Sequence, residues 1–322
     1  MQMLEWRKNI DPAEWDELLT SMKGHFLQSA VWGEARKQAD GIEDARYVAL
    51  RNGEPIYMAR VETRIFLKKI KIAWIPRGPV YTEEGGFHLI HKDFLKQLKK
   101  EGYFFCCNAA WKRLTHEKKS KLNHHTIWID LQFGVEKIWE NFKKQVRYDV
   151  RRAKKLGVTI RQSKNLEDIE KFYRAGMALS ANKSFNFNAS MSLLTFLSKQ
   201  DSPNLEFFLF VAECEKNFCG GAVIIRCGKN MHYMWGVTDR AYKHLTIGEA
   251  LQWAIIEWGC EKNCIKYDLE GISQKGNSGV DRFKQKLGGE VVINPGVEIY
   301  SLQWLSGVFA YFAKWYLCFY QK

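Results

Sequence analysis

Strand patterns and helix patterns alternate from one end of this chain to the other, and that alternation limits the fold more than any other feature. Ala45–Arg51 and Pro55–Phe66 read as strands joined by Asn52-Gly53, a dipeptide that readily supplies the positive φ angles of a tight hairpin turn. Further strands are expected at Ile70–Pro76, Tyr103–Asn108, Thr126–Leu131, Glu206–Glu213, Cys219–Cys227, Met231–Val237 and Ile265–Glu270. Between them lie helix signals. Asp11 and Pro12 suit the N-cap and first position of a helix over Pro12–Met22. Others cover His88–Glu101, a single long stretch Val135–Leu156 stopped by Gly157, Leu166–Lys183, Ser190–Gln200 and Thr246–Cys260. Helices interleaved with mostly antiparallel strands predict a mixed α/β (α+β) protein, and 322 residues suffice for two similar-sized halves.

Charge narrows the partners. The chain carries 49 Lys and Arg against 36 Asp and Glu, a net charge of +13. Such an excess suits polyanions such as tRNA, nucleotide diphosphates or an anionic membrane, although a generally basic proteome gives the same number. Eight cysteines occur without a Cys-x-x-Cys pair or a histidine at ligand spacing, which argues against a zinc site and for thiols packed as small hydrophobes in a reducing compartment. Met1–Asp11 lacks a long apolar run, so no signal peptide is expected and the cytoplasm is the expected location. Leu302–Tyr320 is rich in aromatic residues but interrupted by Lys314, which fits a helix that closes a domain or one that rests on the cytoplasmic face of a membrane.

Three segments carry candidate chemistry. Lys137–Lys164 holds ten basic and two acidic residues, and on a helix Arg147, Arg151, Lys154 and Lys155 share a face with Lys144 nearby. A stripe of one sign can track phosphates, though a solvated helix face remains the alternative. Tyr267–Gly271 ends a strand before a glycine-containing loop and then Phe283-Lys284, an arrangement that can present one cation at a strand end, although any surface turn could carry the same pair. Transfer from an ester to an amine develops an oxyanion that such a lysine stabilises. Lys243–Leu251 has the outline of the basic-x-x-Gly-x-Gly turn with which GNAT acetyltransferases hold the coenzyme A pyrophosphate, but Thr246 replaces its first glycine and only Gly248 remains. Thr246 as an ordinary N-cap is the other possibility. No Ser-His-Asp or Cys-His order is defensible, and His124-His125 reads as solvated. Positioning and electrostatics are left to dominate.

Taken in order, these segments resemble the Fem family of peptidoglycan aminoacyltransferases. The resemblance runs through Phe26–Trp32 (Gln-Ser-x-x-Trp), Ile75–Val80 (Pro-x-Gly-Pro), the basic helix ending at Gly157, Tyr233–Gly236, Tyr267–Ile272 and Gly279–Gly289 (Phe-Lys-x-x-Phe-Gly). It implies two GNAT-like domains, residues 1–130 with 296–322 for precursor binding and 131–295 for transfer and tRNA contact, with the C-terminal helix returning to the first. It implies Lys284 and Phe283 as catalytic residues, and Arg36, Tyr103, Tyr233 and Trp235 as substrate contacts. An arginine usual before the Ser190 helix is replaced by Asn186 and Asn188, leaving Lys183 as its stand-in, and Asn108 stands where an acidic residue is usual. No room exists for a coiled-coil arm between Ser190 and Leu205, so the compact form is implied. The expected activity is transfer of an amino acid from aminoacyl-tRNA, used as co-substrate with no other cofactor and no metal. The acceptor is an amine of a UDP-MurNAc-pentapeptide or of lipid II, and the enzyme is expected to act as a monomer. The rivals are a coenzyme A-dependent N-acyltransferase on the same scaffold and a non-catalytic protein bound to membrane or RNA.

Overall fold

The computed structural model describes residues 4–82, 86–112, 123–181, 187–274 and 278–303. These form two compact units. One comprises the described residues up to His124 and those from Ile293 onward, and the other is His125–Val292.

In the first unit, β1 (Leu4–Lys8), α1 (Pro12–Ser21), α2 (Ala30–Asp40), β2 (Asp44–Arg51), β3 (Glu54–Phe66), β4 (Ile70–Pro76), β5 (Val80–Tyr81), α3 (Phe87–Lys100) and β6 (Phe105–Ala109) follow one another. The second opens with β7 (His124–Asp130), α4 (Gly134–Asn141), α5 (Lys144–Lys155), β8 (Thr159–Ser163), α6 (Leu166–Ala181) and α7 (Met191–Ser198). It continues with β9 (Leu205–Cys214), β10 (Asn217–Cys227), β11 (Asn230–Thr238), α8 (Ile247–Glu261), β12 (Lys266–Ile272), α9 (Gly279–Lys286) and β13 (Glu290–Asn294), after which β14 (Glu298–Ser301) rejoins the first sheet.

The first sheet runs β1-β2-β3-β4-β6-β14 with β5 beside β3, and the second runs β13-β7-β12-β11-β10-β9-β8. Neighbouring strands are mainly antiparallel, with parallel pairs at β4–β6 and β11–β12. The change of unit falls a few residues earlier than the sequence suggests, because β7 pairs with β12 of the second sheet. The expected C-terminal helix lies outside the described residues beyond Gln303.

Two of the sequence motifs prove to be one structural device. Gln28 is buried in the first unit, where its Oε1 accepts from Arg60 N at 2.8 Å and its Nε2 donates to Pro76 O at 2.6 Å. A Cβ at Gly78 would lie 2.6 Å from the Gln28 amide carbon, so only glycine lets the Pro-x-Gly-Pro turn close over that side chain. Ser29 caps α2 by accepting from Trp32 N. Arg60 beneath is wholly buried and neutralised by Asp44 and Glu62 at 2.9 and 2.8 Å, the pairing that a buried guanidinium requires.

The long helix expected over Val135–Leu156 is instead two. Phe142 turns extended (φ −62°, ψ 140°) and ends α4, and Arg147 reaches back so that its Nη1 donates to the carbonyls of Glu140 and Phe142 at 2.7 and 3.1 Å. The guanidinium thereby satisfies carbonyls that a helix end leaves without partners.

Candidate active site

A cavity of about 600 Å³ opens within the second unit, and the strand register explains it. β11 pairs with β12 only from Asn230↔Lys266 to His232↔Asp268. Beyond that point the two strands diverge, although β11 stays bonded to β10 as far as Thr238↔Gly220. The edge of β11 from Tyr233 to Thr238 and the end of β12 at Glu270 and Gly271 therefore become walls. The N-terminus of α8 and one face of α9 complete the enclosure.

β12 contributes through an irregularity. Its register with β7 slips between Asp268 and Gly271, and Glu270 adopts a left-handed φ of 57°. The carbonyls of Glu270 and Gly271 accept from Lys284 Nζ at 3.3 and 2.8 Å. An ammonium has three donors, so one remains for a ligand in the cavity. Lys284 is 6% exposed and its Nζ lies 5.8 Å from the centre of the Tyr233 ring. Burial lowers its pKa, opposed by the charges of Glu270, Asp268 and Asp281.

Its helix is firmly set. Ser278 and Asp281 form a reciprocal capping box, and Asp281 also accepts from Ser273 N at 3.0 Å. Burial opposes the Asp281 charge, but these hydrogen bonds outweigh it and hold the carboxyl below its ordinary value. One turn further on, Phe283 lies against Gly248, where a Cβ would stand 3.1 Å from its ring.

Tyr233 and Trp235 both line the cavity. Burial pushes the Tyr233 phenol up to about 12, with a hydrogen bond to Gln252 pulling the other way, so it is a neutral donor or acceptor at physiological pH. Gln252 is buried and also accepts from the Tyr267 hydroxyl at 2.8 Å. Trp235 Nε1 donates to Asn188 Oδ1 at 2.8 Å, so one of the two asparagines near the position of the missing arginine orients an aromatic wall.

The structure thus brings together Lys284, Phe283, Tyr233 and Trp235, and it adds Glu249, Gln252, Lys243 and Glu270. Glu249 gave one sequence signal, an acidic residue in the first turn of a helix, but that pattern is common at helix starts. Lys183 and Asn186 lie outside the described residues. Arg36 and Tyr103 belong to the first unit and do not line this cavity. Arg36 pairs with Asp40 at 2.6 Å and is half-buried. Tyr103 is 2% exposed, shares its hydroxyl with Thr63 at 2.8 Å and lies under Lys71, so it is a core residue and not a surface for ligand. Asn108 Nδ2 donates to Glu298 at 3.3 Å, so β14 supplies a carboxylate beside the position where an acidic residue was expected.

Thr246 does not cap α8. It occupies the N-cap position with φ 53° and ψ 42°, a left-handed conformation suited to glycine, and its Oγ1 donates to Asp149 O at 2.8 Å. The backbone of the glycine-type turn is kept without the glycine.

Elsewhere in the second unit, the basic helix α5 buries Val146, Asp149, Val150 and Ala153 and leaves Lys144, Arg151, Lys154 and Lys155 exposed. Lys144, Arg147 and Arg151 line a second, open depression with Trp139, Glu140 and Tyr148, while Lys154 and Lys155 do not. Tyr148 is 57% exposed and the Arg151 guanidinium lies 5.3 Å from the Trp139 ring centre. Arg147 spends one side of its guanidinium on α4.

Residues 140–285 match the acetyltransferase (GNAT) domain. Along 95% of its length the chain superposes on the whole of a crystallised FemX, with a TM-score of 0.81 and 14% identity. The C-terminal domain of a candidate lysylphosphatidylglycerol synthetase from Agrobacterium fabrum gives a TM-score of 0.58 at 12% identity over 94% of this chain and 95% of that one. A tandem GNAT protein from the clavulanic acid biosynthesis pathway gives 0.53 at 11% identity, over 94% and 99%. A search of curated protein sequences returns no match. Identities this low show a shared fold, and the fold is Fem-like: two GNAT-like domains in a mixed α/β chain, the second of them containing the stretch that matches the GNAT domain.

Proposed function

We propose that this acyltransferase moves an amino acid from aminoacyl-tRNA onto an amine of a peptidoglycan stem peptide, forming part of an interpeptide bridge. The observation that carries this is the buried Lys284 ammonium, held by two carbonyls with its third donor left for a ligand in a cavity walled by aromatic side chains. The acceptor amine attacks the ester carbonyl, the C–N bond forms, the ester C–O bond breaks, and the proton lost by the amine ends on the departing ribose hydroxyl. Lys284 stabilises the oxyanion that forms between these events, and Tyr233, Trp235 and Phe283 fix the aminoacyl group beside it. No metal and no cofactor besides the aminoacyl-tRNA enters the scheme. The acceptor is a UDP-linked precursor or lipid II, and the site of action is the cytoplasm or the cytoplasmic membrane face. No helix among the described residues is long and apolar enough to cross a membrane.

The basic depression on α5 supports a tRNA role for Lys144, Arg147 and Arg151, with Lys154 and Lys155 contributing charge from further along the helix. It adds Tyr148 as a surface on which an unpaired base can stack. The test is transfer of radiolabel from charged total tRNA to UDP-MurNAc-pentapeptide or lipid II. Label on the precursor that is lost after RNase treatment and in Lys284→Ala supports the proposal, and its absence from both acceptors defeats it. A second reading, coenzyme A-dependent N-acylation, is favoured by the GNAT match over residues 140–285. Saturable acetyl-CoA turnover by the purified protein would establish it instead.

A further inference from the structure

The cavity contains a carboxylate, Glu249, to which the proposed aminolysis beside Lys284 assigns no role. Glu249 is in the first turn of α8, lines the cavity, and keeps only 13% of its side chain exposed. Its nearest cation, Lys286 Nζ, stands 3.7 Å away and is itself 41% exposed, a loose and partly solvated pair. Burial raises its pKa, while a hydrogen bond from its own backbone N–H and the Lys286 charge oppose the rise.

The position matters because a helix start attracts anions through its free N–H groups and its dipole. In this helix a resident carboxylate already occupies that field. A pyrophosphate arriving at the start of α8 would meet a negative charge, whereas a cation would be drawn to it. Aminoacyl esters carry such a cation. Their α-ammonium lies on the carbon next to the reacting carbonyl, so the groups that receive the ammonium and the oxyanion must share one cavity. Glu249 and Lys284 do.

We propose that Glu249 receives the α-ammonium of the donor and thereby selects free aminoacyl esters over N-blocked or coenzyme A-linked acyl donors. The proposal rests on the aminoacyl-transfer reading for the identity of the donor. Glu249 is a binding residue in it and takes no part in proton transfer.

The test uses the full-length protein and two non-hydrolysable probes, a 3′-aminoacylamino-adenosine and its N-acetylated form, followed by tryptophan fluorescence and calorimetry. The wild type is expected to prefer the free amine by about tenfold or more, as for a partly desolvated ion pair. Glu249→Gln, which can still accept the backbone hydrogen bond, is expected to abolish the preference while circular dichroism and Tm stay unchanged. Equal affinities in the wild type, no binding of either probe, or a preference that survives Glu249→Gln would each overturn the proposal. A Glu249-dependent preference without transfer to any precursor would leave it standing and count against the peptidoglycan reading. Equal transfer from free and N-acetylated aminoacyl-tRNA would do the reverse.

Discussion

Thr246 Oγ1 donates to the main-chain carbonyl of Asp149 at 2.8 Å, tying the start of α8, a wall of the cavity, to the helix that carries the basic stripe. Two opposed costs meet at Thr246: a left-handed backbone that disfavours a β-branched residue and a hydrogen bond that holds it there. Thr246→Val keeps the strain and removes the donor, and should cost about 1–3 kcal/mol in urea unfolding. Thr246→Gly loses the bond but relieves the strain, and should lie within about 1 kcal/mol of wild type.

Lys284→Ala should lower kcat by about 100- to 1000-fold, the range for loss of one oxyanion donor, with a smaller effect on KM. Because burial lowers the lysine pKa, the protonated form needed for catalysis is lost as pH rises, at a lower pH than for an exposed lysine. A pH profile of kcat should therefore show an alkaline limb that moves upward in Lys284→Arg.

A Cβ at Gly236 would overlap the Tyr233 hydroxyl. Gly236→Ala should displace that ring and raise KM for the donor, whereas the double variant Gly236→Ala/Tyr233→Phe loses the hydroxyl but keeps the ring carbon 2.6 Å from the new Cβ, so it should recover only part of the loss. A double-mutant cycle on kcat/KM checks this, and simple additivity of the two changes would count against it.

Tyr148 and Arg151 should separate two modes of nucleic-acid binding. Tyr148→Ala is expected to weaken tRNA binding by about 1–3 kcal/mol with the salt dependence unchanged. Arg151→Ala should flatten the slope of log K against log salt by about 0.7–0.9 for each phosphate that the arginine neutralises in the wild type. Filter binding between low and moderate salt distinguishes them.

Buried His91 makes part of the stability of the first unit pH-dependent. Burial lowers its pKa to about 4 from the ordinary 6.5, so the unfolded chain binds the proton more readily across that interval. Stability is lost as pH falls from 6.5 toward 4, by about 3 kcal/mol in all if the full shift operates. Asp16 works against this trend, since burial raises its carboxyl to about 6 and favours the folded state as pH falls. Comparing wild type with His91→Gln from pH 4 to 7 isolates the histidine, because Asp16 is common to both.

Much of this structure is legible in the residues themselves, and the failures have physical causes. The Asp11 cap, the Asn52-Gly53 turn and the main strands follow from local chemistry and appear as expected. That Lys284 stands beside the end of a strand was legible because only a glycine-containing loop separates it from Tyr267–Gly271, while its expected role came from the family resemblance. The break at Phe142 was not legible. Ile138, Phe142, Val146, Val150 and Ala153 are all buried at helical spacing, so the apolar stripe runs straight through the interruption. What ends α4 is a guanidinium returning from the next helix. Tyr103 misled for the opposite reason, since an aromatic residue with a hydroxyl looks the same in sequence whether it faces a ligand or Thr63. Glu249 and Tyr148 depended on which way a helix faces the sheet, and that is a property of packing.

The early divergence of β11 and β12 bears on how this protein could be remade. β11 remains paired along its far edge with β10 apart from one bulge at Met234, so the wall of the cavity is part of a sheet before any ligand arrives. A donor entering such a cleft meets a preformed mould, and little of its binding energy is spent on ordering the host. The side chains projecting from that edge can be exchanged while the hydrogen-bonded ladder behind them stays intact. New donor preferences are therefore best sought by recasting Met234, Thr238 and their neighbours, leaving the backbone that shapes the mould untouched.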